Sequence, residues 1–137
     1  MTDAERIYRF LLVEDYPLDV KHTVDAWRPY PVQIDVVTNG ADAYPAALEK
    51  RPDLILLDIN LPRLRGDQVL LQLKADPLTR AIPVIMLTSS TNPLDAQRAY
   101  DLYAASFVTK PATPAAMREL AADWADWWLK RVLLPSR

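Results

Sequence analysis

Cysteine is absent from the chain, which removes disulfides, thiolate metal sites and cysteine nucleophiles together. Histidine occurs once, as His22, so a multi-histidine metal site is excluded, and this residue reads as a half-exposed position on the first helix. Glycine occurs only at Gly40 and Gly66, too few for a glycine-rich phosphate cradle or a dinucleotide fingerprint. Any phosphate chemistry must therefore use side chains. No apolar run approaches the roughly 20 residues of a membrane span, and residues 1–9 carry acidic side chains without an apolar signal core. A cytoplasmic protein without membrane attachment is expected. The formal net charge is only −2, so no general affinity for nucleic acid is expected either.

What is present suits one soluble domain: 137 residues, 50% apolar and 25% charged. Leu54-Ile55-Leu56-Leu57, bounded by Pro52 and by Asn60-Leu61-Pro62, reads as a short strand buried on both faces, as in a parallel sheet. It delivers Asp58 to its carboxyl end. In isolation Asp58 would be an ordinary turn-initiating residue, but other strands bring it company. Residues 7–13 form a strand ending in Glu14-Asp15, residues 83–87 one ending in Thr88-Ser89-Ser90, and residues 106–109 one ended by Lys110-Pro111. Residues 32–37 alternate and are less apolar, which suggests an edge strand.

Helices are expected between them. One starts at Pro17 with Val20, Val24 and Trp27 on one face; a second covers 41–50 with Pro45 near its start; a third carries Val69, Leu70 and Leu73. A fourth spans 93–103, and the last runs from Thr113-Pro114 through Leu120, Trp124, Trp127 and Trp128 to Val132 before Pro135. Strand and helix alternate five times. That rhythm predicts an α/β fold, a doubly wound five-stranded parallel sheet with helices on both faces.

In such a sheet the carboxyl ends of the strands share one edge, where open α/β sheets bind ligands. Glu14, Asp15, Asp58, Thr88 and Lys110 would collect there from four strands. Three carboxylates brought together repel one another unless a cation is present. Oxygen ligands without thiolate favour a hard ion, and Mg²⁺ suits a site with few protein ligands that retains waters and binds phosphate. Asp58 could then attack phosphorus as a carboxylate nucleophile, giving an acyl phosphate, while Lys110 and the Thr88 hydroxyl hold the phosphoryl oxygens.

This set resembles the receiver domain of two-component response regulators, on the segments Leu12-Val13-Glu14-Asp15, Leu56-Leu57-Asp58-Ile59-Asn60-Leu61-Pro62, Leu87-Thr88-Ser89-Ser90 and Phe107-Val108-Thr109-Lys110-Pro111. The resemblance covers nearly the whole chain. It implies a flavodoxin-like strand order 2-1-3-4-5 and Asp58 as phosphoacceptor, with Thr88 and Lys110 completing the reactive set. It also implies Mg²⁺ held by Glu14, Asp15, Asp58 and the main-chain carbonyl of Asn60. Thr88 and Phe107 match the switch pair, and a cis Lys110–Pro111 bond is expected by the same likeness. The implied partner is a sensor histidine kinase, and the Asp58 and Phe107 segments look similar to the small regulators that accompany bacterial phytochrome kinases. The expected organisation is one receiver domain over 1–137, with a core at about 6–123, an extended helix and tail over 124–137, and no output domain.

Several positions depart from the family pattern. Phe107 stands where tyrosine is commoner, so the ring has no hydroxyl. Tyr103-Ala104 replaces a frequent Gly-Ala pair, and Pro62-Arg63-Leu64-Arg65-Gly66 carries two arginines where an acidic residue is common. Leu120, Trp124, Trp127, Trp128, Val132 and Leu133 spread apolar area around more than one stripe of the last helix. Two readings stand: these rings complete the core, or they support a homodimer through the fourth and fifth helices.

Other functions remain open at this stage. An aspartate-nucleophile phosphohydrolase wants an acid where Asn60 stands and a substrate cap. A flavin-binding relative would need a phosphate loop where Glu14-Asp15-Tyr16-Pro17 would repel one. A phosphorylation-independent adaptor could keep the same residues unused. The expectation is a phosphoacceptor signalling protein without substrate turnover.

Overall fold

The structure, a computed structural model, describes residues 6–135; residues 1–5 of the N-terminal segment and 136–137 of the expected tail lie outside the described residues. Five parallel strands, β1 (Tyr8–Val13), β2 (Val32–Val37), β3 (Leu54–Leu57), β4 (Val84–Thr88) and β5 (Ser106–Thr109), lie in the order β2-β1-β3-β4-β5. Helices α1 (Pro17–Trp27), α2 (Ala43–Lys50), α3 (Gly66–Ala75), α4 (Pro93–Asp101) and α5 (Pro114–Trp124) connect and follow them. The doubly wound fold and strand order expected from the sequence are those observed.

Strand alternation divides the core in two. Leu11, Val13, Ile55, Leu57 and Met86 face Ala47, Val69, Leu70 and Leu73 of α2 and α3, with Ala99 of α4 in the same cluster. Phe10, Leu12, Leu54, Leu56, Ile85 and Leu87 face Ala26 and Trp27 of α1 and Met117 and Ala121 of α5. Both faces being covered, β3 and β4 are buried at every residue, which explains their unbroken apolar runs. Trp27 meets Phe10 edge-on at 4.9 Å between centroids, and truncating a fully buried Trp to Ala costs about 3–5 kcal/mol. The less apolar β2 lies at the sheet edge and is only partly buried.

Two expectations are corrected, the end of α4 and the Lys110–Pro111 bond, while the expected start of α2 close to Pro45 is observed. Helix α4 ends at Asp101, short of Tyr103, because Tyr103 turns left-handed at φ 69° and the Ala104 N–H returns to Ala99 O at 2.9 Å. That turn stops the helix where glycine usually does. Helix α2 starts at Ala43, which places Pro45 in the first turn where its missing N–H is not needed. Among the described residues no peptide bond is cis, so Lys110–Pro111 is trans; the trans form of X–Pro is preferred by about 0.5–1 kcal/mol, and Lys110 reaches its carboxylate partners from that backbone.

The last helix changes character. After Trp124 the chain continues as a π-helical segment over Ala125–Arg131, closed by Val132 N–H on Trp127 O at 2.9 Å. Trp124, Trp128, Leu129 and Val132 pack against the α1–α5 face of the core. Trp127 stays 57% exposed and Leu133 95% exposed. The rings therefore divide, most of them completing the core and Trp127 facing outward.

Candidate functional site

The sheet ladder continues one step past the strands and fixes the expected site residues through their own backbones. Asp58 N–H donates to Val13 O at 3.1 Å, Glu14 N–H to Val37 O at 3.0 Å, and Lys110 N–H to Thr88 O at 2.8 Å. Glu14, Asp15, Asp58 and Lys110 are thus held at the carboxyl edge by neighbouring strands. Ligand oxygens of Glu14, Asp15 and Asp58 lie within 4.8 Å of one another, with Glu14 and Asp58 buried and Asp15 exposed.

Lys110 Nζ lies 2.6 Å from Glu14 Oε2, 2.9 Å from Asp19 Oδ2 and 3.0 Å from Asp58 Oδ2. An ammonium has three N–H donors, so three carboxylates use them all. Burial alone would lower the Lys110 pKa, but its hydrogen bonds to Glu14, Asp19 and Asp58 outweigh burial and hold it well above the ordinary lysine value. Burial pushes the Glu14 carboxyl up; hydrogen bonds from Lys110 and the Tyr16 N–H oppose this, and the Asp58 charge adds to it.

These residues fit a divalent cation. Asp15 is the exposed member of the carboxylate cluster, and neither a hydrogen bond nor an ion pair engages it among the described residues. Glu14 and Asp58 are both buried and lie close together, so a bound cation would offset their mutual repulsion. Hard oxygen donors at an open edge are the donor set that Mg²⁺ or Mn²⁺ takes. Asn60, the fourth expected contributor, is exposed two residues after Asp58.

Both glycines of the chain press on the loop that follows Asp58. A Cβ on Gly66 would lie 2.0 Å from Asp58 O, and one on Gly40 1.8 Å from Leu64 O. Gly66 N–H donates to Ile59 O at 2.8 Å and Gly40 N–H to Pro62 O at 3.1 Å. Between these supports Leu64 N–H closes on Pro62 O at 2.8 Å around Arg63 at φ 71°, a tight γ-type turn. Ile59 N–H in turn donates to Asp58 Oδ1 at 2.7 Å, which orients the carboxylate.

Thr88, fully buried at the end of β4, accepts Ser90 N–H on Oγ1 at 3.3 Å. Phe107 is half-buried on β5 and packs against the cluster beneath α3 and α4. Two participants escaped the sequence reading. Asp19 reaches Lys110 from the first turn of α1, and an acidic residue just inside a helix started by Pro17 was the available signal. Tyr100 of α4 accepts the Phe107 N–H on its hydroxyl at 3.1 Å, for which the sequence offers no signal.

The sheet is five-stranded and doubly wound, with an acidic cluster and a lysine at its carboxyl edge, and residues 10–122 match the response regulator receiver domain. The chain belongs to that family and so to two-component signalling. It is similar to the response regulator Rcp1 of Synechocystis, with 37% identity over 86 residues, 63% of this chain and 58% of that protein. The alignment therefore spans less than two thirds of that relative's length. Among solved structures it is similar to the phosphorylated cyanobacterial phytochrome response regulator RcpA, with TM-score 0.89, 33% identity and coverage of 96% of this chain and 100% of that one. The Mn²⁺-bound form of Rcp1 gives TM-score 0.84 and 30% identity, covering 94% of this chain and 99% of that one.

Proposed function

We propose that this chain is a single-domain response regulator that accepts a phosphoryl group on Asp58 from a sensor histidine kinase. The observation that carries the reading is the Lys110 ammonium held 3.0 Å from Asp58 Oδ2 beside two further carboxylates. An Asp58 carboxylate oxygen attacks the phosphorus of a phosphohistidine; the P–N bond breaks, the imidazole leaves with the electron pair, and an acyl phosphate forms on Asp58. Lys110 exchanges carboxylate partners for a phosphoryl oxygen, and the Thr88 hydroxyl donates to another. Glu14, Asp15, Asp58 and the Asn60 carbonyl would hold Mg²⁺, which when bound neutralises the carboxylates and the phosphoryl charge.

Signalling then follows as a population shift between two surfaces, coupled through Thr88 and Phe107. The likeness to RcpA across that whole chain supports both the single-domain organisation and a bacteriophytochrome as phosphodonor. The proposal includes a homodimer on the face around α4 and α5, and Trp127, exposed on the segment that continues α5, is available to it. No helix among the described residues is long and apolar enough to cross a membrane, in keeping with a cytoplasmic role. Acetyl phosphate with Mg²⁺, followed by intact mass, tests the reading. A single Mg²⁺-dependent phosphoryl adduct absent from Asp58→Asn is expected. No adduct on the folded, Mg²⁺-loaded protein would point instead to a phosphorylation-independent adaptor.

A further inference from the structure

Strand β5 is the outermost strand beyond β4, so main-chain groups on its far side have no ladder partner. The Phe107 N–H is one of these, and it is satisfied by the Tyr100 hydroxyl at 3.1 Å. Tyr100 lies in the last turn of α4 and is 49% exposed. The first turn of the same helix is tied to the switch threonine. Ser90 Oγ donates to Asp95 Oδ2 at 2.6 Å and accepts Asn92 N–H at 3.2 Å, while Ser90 N–H donates to Thr88 Oγ1 at 3.3 Å. Helix α4 is therefore bonded at one end to the segment that begins at Thr88 and at the other to the backbone of Phe107.

We propose that Tyr100 is a positioning residue that couples α4 to β5, supplying from the helix the hydroxyl that Phe107 lacks. The inference rests on the phosphoacceptor reading given above. A Thr88 hydroxyl that donates to a phosphoryl oxygen must move toward Asp58, and its contact to Ser90 N–H, at 3.3 Å, is the longest of the three bonds that tie Ser90. Loss of that contact frees Ser90, and with it the Asp95 end of α4. The helix then shifts as a unit, and Tyr100 releases the Phe107 N–H. A two-state element biased from Asp58 and read at the sheet edge is the physical requirement for coupling.

The test is amide hydrogen exchange at Phe107, read by NMR on the full chain with Mg²⁺, in wild type and Tyr100→Phe. Each is measured with and without beryllofluoride, which adds to a carboxylate oxygen as a phosphoryl stand-in. Without the stand-in, Phe107 should exchange about five-fold faster or more in Tyr100→Phe, the change expected for loss of one ordinary hydrogen bond. Leu56, in the centre of the sheet, should be unmoved. Beryllofluoride should raise wild-type Phe107 exchange toward the variant's rate and change the variant little. Equal Phe107 exchange in both proteins would overturn the clamp. So would a wild-type protein that forms the acetyl phosphate adduct by mass and yet keeps Phe107 protected under beryllofluoride. No adduct at all would overturn the function proposed above and the coupling with it.

Discussion

Lys110 Nζ sits closer to Glu14, at 2.6 Å, than to Asp58, the proposed phosphoacceptor, at 3.0 Å. The lysine is thus shared among three carboxylates, Glu14, Asp19 and Asp58, and its charge offsets part of theirs. Any incoming phosphoryl group must win one of its three donors from a carboxylate.

Lys110→Ala leaves buried carboxylates without their cation, and breaking a buried pair by removing one partner costs ~3 kcal/mol. The variant should melt below wild type in EDTA. Added Mg²⁺ should raise its melting temperature more than it raises that of wild type, since the ion becomes the sole neutralising charge. Thermal melts with and without Mg²⁺ measure both. Equal Mg²⁺ shifts would count against shared neutralisation. Phosphoryl acceptance should persist, more slowly, while the response at Phe107 is lost.

Gly66→Ala should damage the site more than the fold. The added Cβ would meet Asp58 O at 2.0 Å, and that neighbour is backbone at the proposed phosphoacceptor. The loop has to shift, at a cost of about 1–3 kcal/mol, and the orientation of Asp58 goes with it. Circular dichroism should show a retained α/β spectrum, and the acetyl phosphate adduct should form at least ten-fold more slowly. A normal adduct rate would show that the loop relaxes freely.

Asp67 gives a pH dependence of known sign. Burial alone would raise its carboxyl, but the Arg98 hydrogen bond at 2.7 Å and the charges of Arg65 and Arg98 outweigh it and hold it below the ordinary aspartate value. A depressed carboxylate contributes stability that is present above its unfolded pKa, about 3.9, and lost as pH falls through the folded value. Urea unfolding should therefore show Asp67→Asn less stable than wild type at pH 7. The gap should narrow as pH is lowered below about 4; a gap that widens there would exclude the ion pair as its source.

Trp127 tests the dimer. Light scattering at about tens of micromolar, above the range of ordinary specific association, should give twice the monomer mass for the wild type and the monomer mass for Trp127→Arg. Because the ring is 57% exposed, the variant should melt within a degree or two of wild type. A wild-type monomer at that concentration would remove the dimer from the proposal.

Much of this was legible in the chain. Unbroken apolar runs between prolines located β3 and β4, and a residue at the end of a buried parallel strand has one destination, the carboxyl edge. Glu14, Asp15, Asp58 and Lys110 were therefore placed by strand logic alone. Asp19 was not, because its role depends on where α1 packs rather than on where a strand stops. Tyr100 was hidden for the same reason, its partner being a backbone N–H seven residues on in another element. The early stop of α4 at Asp101 depended on a left-handed tyrosine, which pattern reading assigns to glycine. The π-helical segment after Trp124 leaves no periodic mark in only seven residues.

The two glycines that brace the Asp58 loop carry a consequence for how such a protein can be rewired. The loop owes its course to missing side chains at Gly40 and Gly66, both outside the exposed stretch that carries Arg63 and Arg65. The course of the loop and the chemistry of its exposed surface are thereby set by different residues: the glycines hold the backbone after Asp58, while the arginines between them face outward. A relative that kept both glycines would keep the course of this loop even where its outward-facing side chains differed.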